Sequence, residues 1–332
     1  MSESLSLGID LGGTKIEGAV LRRKREPKAD AMDAFEIVAR TRVPTLATEG
    51  YDAVLARTAE LVRAVASEAG VDPRAVPIGV GMPGAVTRRT GVVKNSNTEC
   101  LNGRSFREDL ARRLGAPVRF ENDANCFAIA EARFGAGRNH LSGVVFGVIL
   151  GTGCGGGLVI RGRIWQGLQS LGGEWGHHAV GPWRRQGAPA GEPAAGHALS
   201  ERPRCPCGKT GCLELYASGG GAEREYERRT GTKKTLAEMA AARATDLHAG
   251  AVVGELVEAF ARGLANVVDI VDPNVVVLGG GVSNLSLLYD EGRARVAAYV
   301  FNDELLTEIV QHELGDSAGV IGAALLDEMG GD

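Results

Sequence analysis

Three glycine-rich turns, each closing an apolar strand, constrain this chain more than any other feature. They are Gly12-Gly13-Thr14-Lys15, Gly151-Thr152-Gly153-Cys154-Gly155-Gly156 and Gly279-Gly280-Gly281. A turn without Cβ atoms lets backbone N–H groups approach phosphate oxygens. One such cluster reads best as a tight turn, but three, each after a strand, point to a nucleotide gripped at several places. The second contains Gly151-x-Gly153-x-x-Gly156, formally the dinucleotide fingerprint, which needs a helix immediately afterwards. Here the strand-like Leu158-Val159-Ile160 follows, and the NAD reading fails. A Walker loop is absent too, since Gly208-Lys209-Thr210 lacks the earlier glycine.

Apolar periodicity supplies the frame. The runs from Leu5 to Leu21 predict a β-hairpin around the first glycine pair, and Arg22 to Asp30 an exposed loop. Val54, Leu55, Leu61, Val62 and Val65 predict an amphipathic helix over 52–69. A short strand, Val76 to Gly81, ends at Met82-Pro83-Gly84. Phe106, Leu110 and Leu114 mark a second helix, and Pro117 to Phe120 a strand entering Glu121-Asn122-Asp123, with a helix onward to Ala132. Strands are expected at Val144–Leu150, Leu158–Ile160 and Val275–Leu278. The stripe from Val252 to Val271 is a helix stopped by Asp272-Pro273, and Gly319 to Glu328 is helical. Gly181 to Arg204, rich in Gly, Pro and Ala, reads as a loop. Alternating strands and helices make the class α/β.

At 332 residues the chain is long enough for about two domains. Lys plus Arg number 37 against 41 Asp plus Glu, a formal charge of −4, so no nucleic-acid partner is expected. No apolar run reaches membrane-span length and Met1 to Leu7 lacks the pattern of a signal peptide, which predicts a cytoplasmic protein with no membrane partner. In a reducing compartment, Cys205, Cys207 and Cys212 read as metal ligands. A fourth ligand would come from His177 or His178, between which the residues alone do not choose. Asp10, just before the first glycine pair, either caps its own turn or holds the divalent ion of a phosphoryl transfer.

In this order the motifs resemble the sugar kinases of the ROK family, over nearly the whole chain. Gly8-Ile-Asp10-Leu-Gly12-Gly13-Thr14-Lys15 is similar to the family's first phosphate motif and Leu150-Gly151-Thr152-Gly153 to its second. Gly79-Val-Gly-Met-Pro-Gly84 resembles its glycine-proline turn, and Glu121-Asn122-Asp123-Ala-Asn125 its catalytic segment. Gly173-Glu174-Trp-Gly-His177 and Cys205-x-Cys207-Gly-x-x-Gly-Cys212-x-Glu214 look like the pair that defines its zinc site.

The resemblance implies an actin-like (ribonuclease H-like) two-lobed fold with ATP bound in a cleft between the lobes. Residues 1–122 would form the smaller lobe, with a helix at about 317–330 packed back on it, and 123–316 the larger, zinc-binding lobe. Gly8, Asp10, Gly12, Gly13, Thr14, Lys15, Gly151, Thr152, Gly153, Gly155, Gly279 and Gly280 are the implied nucleotide contacts, with Mg2+ on the phosphates. Asp123 matches the general base, and Gly84, Asn97, Asn122, Asp123, Glu174, His177 and Glu214 the sugar site. Structural Zn2+ is implied at His177, Cys205, Cys207 and Cys212, a closed ligand set unsuited to a zinc hydrolase. The resemblance also implies a homodimer.

Phosphoryl transfer to a hexose, normally at the C6 hydroxyl, is the implied reaction. Thr90 to Asn97, followed by Leu101-Asn102-Gly103, looks most like bacterial fructokinases, so fructose is expected. N-acetylglucosamine or glucose is the alternative acceptor, and a silent sugar sensor the alternative outside catalysis. A repressor of the family is not expected, because the first motif begins at Gly8 and leaves no room for a helix-turn-helix before it.

Overall fold

The computed structural model describes residues 4–23, 35–179 and 203–329, so most of the loops expected at 22–30 and 181–204 lie outside it. The opening hairpin forms as its pattern requires. β1 (Ser4–Leu11) and β2 (Lys15–Arg23) pair antiparallel, with Leu11 opposite Ile16 across the glycine turn. β3 (Phe35–Pro44) adds antiparallel to β2. Its pattern is illegible in the sequence because it is a half-exposed edge strand that buries only Phe35 and Ala39.

The helix α1 (Tyr51–Glu68) buries the expected stripe, including Val54, Leu61, Val62 and Val65. β4 (Ile78–Met82) runs parallel to β1, and a small hairpin of β5 (Ala85–Val86) and β6 (Val93–Lys94) follows. α2 (Phe106–Leu114) leads to β7 (Val118–Asn122), parallel to β4. The first sheet thus has the order β3-β2-β1-β4-β7.

α3 (Asp123–Phe134) starts where β7 ends, and β8 (Val144–Leu150), β9 (Cys154–Ile160) and β10 (Arg163–Ile164) follow. The second glycine turn is shorter than its glycine run, because β9 already begins at Cys154. Gly157, the residue after that run, is explained by packing: a Cβ there would collide with the Ala124 carbonyl of α3.

α4 (Gly219–Thr230), α5 (Leu236–Ala242) and α6 (Leu247–Val271) precede β11 (Val275–Gly279). α6 starts earlier than its stripe because Asp246 caps it, accepting from Ala249 N at 3.0 Å. α7 (Glu291–Tyr299), β12 (Glu308–Gln311) and α8 (Ala318–Ala324) complete the chain, α8 ending sooner than its composition suggests in a 3-10 turn. The second sheet has the order β10-β9-β8-β11-β12. Numbered within its own set, each sheet reads third, second, first, fourth, fifth.

The chain divides into two compact units: Met1–Gly147 with Gly157–Gly173 and His312–Asp332, and Val148–Gly156 with Glu174–Gln311. This differs from a boundary at 122/123, and α3 is the reason. α8 lays bare backbone against three neighbours at once, one of them α3. A Cβ at Gly8 (β1) would collide with the Val320 carbonyl, one at Gly79 (β4) with that of Ala323, and one at Gly322 with that of Cys126 in α3. α3 and α8 therefore belong with the first sheet. Among the described residues no helix is long and apolar enough to cross a membrane.

Gly79→Ala should lower stability by about 3 kcal/mol, since backbone rather than a movable side chain fills the space. Gly254→Ala, in α6 with nothing within 4 Å of the new Cβ, should instead raise it by up to about 1 kcal/mol. Urea denaturation midpoints of the two variants check both signs.

Candidate active site and thiol cluster

In the first unit the glycine pair turns tightly. Gly12 N donates to Lys15 O at 2.9 Å, and the Thr45 hydroxyl to Gly12 O at 2.7 Å. Gly13 and Thr14 stay exposed. Asn97 Oδ1 lies 3.8 Å from the site of a Gly13 Cβ, so the fold brings Asn97 to this turn. Its loop is organised by Asn102, which accepts from Ser96 N and donates to Ser96 O, each at 2.9 Å. Lys15 forms an exposed ion pair with Asp316 at 3.8 Å. Gly8 lies in mid-strand under α8, where a Cβ would collide with the Val320 carbonyl.

Asp10 sits at the far end of β1, beside Gly81 of β4 and under the start of α8. Burial, reinforced by the negative charges of Asp123 and Glu17, pushes its carboxyl up to about 7, with Lys15 and Arg42 opposing. Asp123 opens α3. Its Oδ1 accepts from Ala124 N at 2.9 Å, and burial raises its carboxyl while these backbone N–H groups hold it down.

Asn122 is the N-cap: its Oδ1 accepts from Ala124 N at 2.9 Å and its Nδ2 donates to Gly84 O at 3.0 Å. Gly84, at φ +85°, is a conformation few side chains adopt, and this aims its carbonyl at Asn122. The sequence reading missed Glu121 as a hub. It accepts from Asn122 N at 2.8 Å, from Asn125 Nδ2 at 2.9 Å, and from Gln166 Nε2. Gln166 lies 45 residues away, and no local spacing signals that contact.

In the second unit, Gly151 N donates to Gly153 O at 3.0 Å to close the second turn. Gly280, at φ +78°, packs against the Leu150 carbonyl, so the second and third glycine clusters meet, with Gly279 ending β11. α4 begins at the same place: Gly219 N donates to Gly151 O at 2.8 Å, and a Cβ on Gly220 would lie 2.6 Å from Thr152 O. The Ser218 cap and the partial positive charge of this helix end are not evident in the sequence, where three glycines obscure the helix. Gly155 lies in β9 and its carbonyl accepts from Trp175 Nε1 at 3.0 Å.

Cys205, Cys207 and Cys212 converge with His177, not His178, and their four ligand atoms lie within 4.8 Å of one another. Cys207 Sγ is 3.6 Å from Cys212 Sγ, and Cys205 Sγ is 3.6 Å from His177 Nδ1. A tetrahedron with Zn–S bonds of 2.3 Å has edges of about 3.8 Å, so the donor set fits zinc in kind and spacing. Glu214 joins this cluster to the second glycine turn, one carboxylate oxygen 3.7 Å from Cys205 Sγ and the other accepting from Cys154 N at 3.2 Å. Glu174 precedes the 3-10 turn that carries His177, and its carbonyl accepts from His177 N at 3.3 Å.

The profile of the ROK family matches residues 6–329. The chain belongs to the ROK family. It is 38% identical over 323 residues to the N-acetyl-D-glucosamine kinase of Vibrio atlanticus (strain LGP32), covering 96% of this chain and 98% of that one. The N-acetyl-D-glucosamine kinase of Aliivibrio salmonicida (strain LFI1238) is 36% identical with the same coverage. Among solved structures, the ROK hexokinase from Thermus thermophilus superposes with a TM-score of 0.76 at 32% identity, covering 97% of each chain. A ROK family glucokinase from Streptomyces griseus, in complex with glucose and AMPPNP, gives 0.73 at 27%, covering 98% of this chain and all of that one. The doubled mixed sheet of this ROK protein is the actin-like fold of such kinases.

The ordinary value of 3.8 for Asp10 and its raised value in the fold define a pH window. Its contribution to stability is fully present below about pH 4 and is lost as pH rises through about 7. In nucleotide-free protein, Asp10→Asn should therefore gain stability relative to wild type between these limits and run parallel above them. Denaturant midpoints measured across the range test this, and curves parallel throughout would exclude it.

Proposed function

We propose that this ROK sugar kinase transfers the γ-phosphoryl group of ATP to N-acetyl-D-glucosamine, at the C6 hydroxyl, with Asp123 as general base. The 36–38% identity to N-acetyl-D-glucosamine kinases across 96% of the chain carries the choice of acceptor. It displaces fructose, expected from the Thr90–Asn97 segment, because the relatives described above are not named fructokinases.

A sugar hydroxyl is a poor nucleophile, and the burial that raises Asp123 makes it a stronger base than an exposed carboxylate. Asn122 and Glu121 keep the start of α3 in one conformation, which holds Asp123 in place. Gly12–Lys15 and Gly151–Gly153, with Gly280 and the start of α4 behind the latter, are the backbone cradles for phosphates. Asp10 is suited to hold Mg2+ or its waters, since a divalent cation relieves the repulsion it shares with Asp123.

Asn97, Asn122, Glu174, His177 and Glu214 offer donors and acceptors for sugar hydroxyls. His177, Cys205, Cys207 and Cys212 would hold a structural Zn2+, and the ion would fix Glu214 through the cysteine segment. The same reading makes the enzyme a cytoplasmic homodimer, with ATP and reduced thiols at hand.

A kinase assay with ATP, magnesium and a panel of N-acetylglucosamine, fructose, glucose and mannose should give the highest kcat/KM for N-acetylglucosamine; a preference for fructose would reverse the choice. Asp123→Asn should cut kcat by about 10²–10⁴ with an unchanged circular dichroism spectrum. Cys205→Ser should lose bound zinc by elemental analysis and weaken sugar binding more than nucleotide binding. Equal loss of both would remove the pocket-shaping role of the ion.

A further inference from the structure

The C-terminal end of α3 opens on a polar pocket of about 590 Å³ within the first unit. That size lies in the range of small-molecule sites, about 300–1,000 Å³. Arg133, Arg138, Arg161 and Arg163 line it, together with Asn139 and Ser142. Four guanidinium groups around one cavity stand out in a chain whose formal charge is −4. Arg138 is paired with Glu313, whereas Arg161 and Arg163 are exposed and form no ion pair among the described residues.

The β9–β10 hairpin presents two of these arginines. Arg161 and Gly162 have φ of +50° and +73°, the backbone of a two-residue turn that favours Asn-Gly. An arginine at the first of these places is a poor choice for the backbone, and it sets a guanidinium at the cavity rim. The end of α3 carries a partial negative charge of about half a unit, which Arg161 and Arg163 alone outweigh.

We propose that this cavity binds a small phosphorylated anion, at a site separate from the phosphoryl-transfer residues. Planar guanidinium forks match phosphate oxygens in pairs. Asn139 and Ser142 beside the arginines offer partners for hydroxyl groups, so a phosphate ester of a polyhydroxyl compound fits best. Ten residues of helix separate Arg133 from Asp123, about 15 Å along the axis, so one ligand does not serve both places. The site does not depend on which sugar is phosphorylated.

Calorimetric titration of the full chain, presaturated with magnesium and a non-hydrolysable ATP analogue, tests the site. Inorganic phosphate and a hexose 6-phosphate are the two probes. Wild type should bind the ester saturably, and Arg161→Asn/Arg163→Gln should weaken that binding about tenfold or more. The variant places Asn-Gly in the turn that favours it, so the hairpin is kept, and an unchanged thermal midpoint verifies this. Asp123→Asn should bind the ester at this site as wild type does. Tighter binding of the ester than of inorganic phosphate identifies the ester as ligand, and equal binding the phosphate group alone; both support the site. No saturable anion binding, or equal binding by the double variant and wild type, overturns it. The analogue's own titration reports separately on nucleotide binding.

Discussion

The close approach of α8 to β1, β4 and α3 is the constraint on which the candidate chemistry rests. Gly8, Gly79 and Gly322 let backbone meet backbone without a Cβ between them. Because α8 sits so low on the sheet, its start comes down onto Asp10. Because α3 is gripped from the same side, its first residue, Asp123, is fixed near enough to raise the Asp10 carboxyl. Interiors packed at crystal density transmit such restraints with little give. Two carboxylates that repel each other in a buried setting are thus held together by contacts that carry no charge.

Much of this architecture was legible in the sequence, for identifiable reasons. Strands bounded by glycine turns and helices with long apolar stripes, such as α1 and α6, announce themselves because burial imposes their period. β3, α4 and α7 do not. β3 buries two side chains, α7 only Gly292 and Val296, and α4 begins with three glycines that suit a tight approach to Gly151 and Thr152 rather than helix propensity.

The site shows the same division. Three cysteines within eight residues mark a metal-like cluster from spacing alone, but spacing does not choose His177 over His178; the family resemblance does, and the fold brings His177 to the thiols. Gly8 shows the converse difficulty, since a glycine inside a phosphate motif is also required by the packing of α8 on β1. Glu121 and Gln166 meet only through the fold, and no periodicity links residues so far apart.

Glu214 touches the thiol cluster with one carboxylate oxygen and the second glycine turn with the other. Directed evolution at residue 214 would therefore disturb two neighbourhoods with one codon.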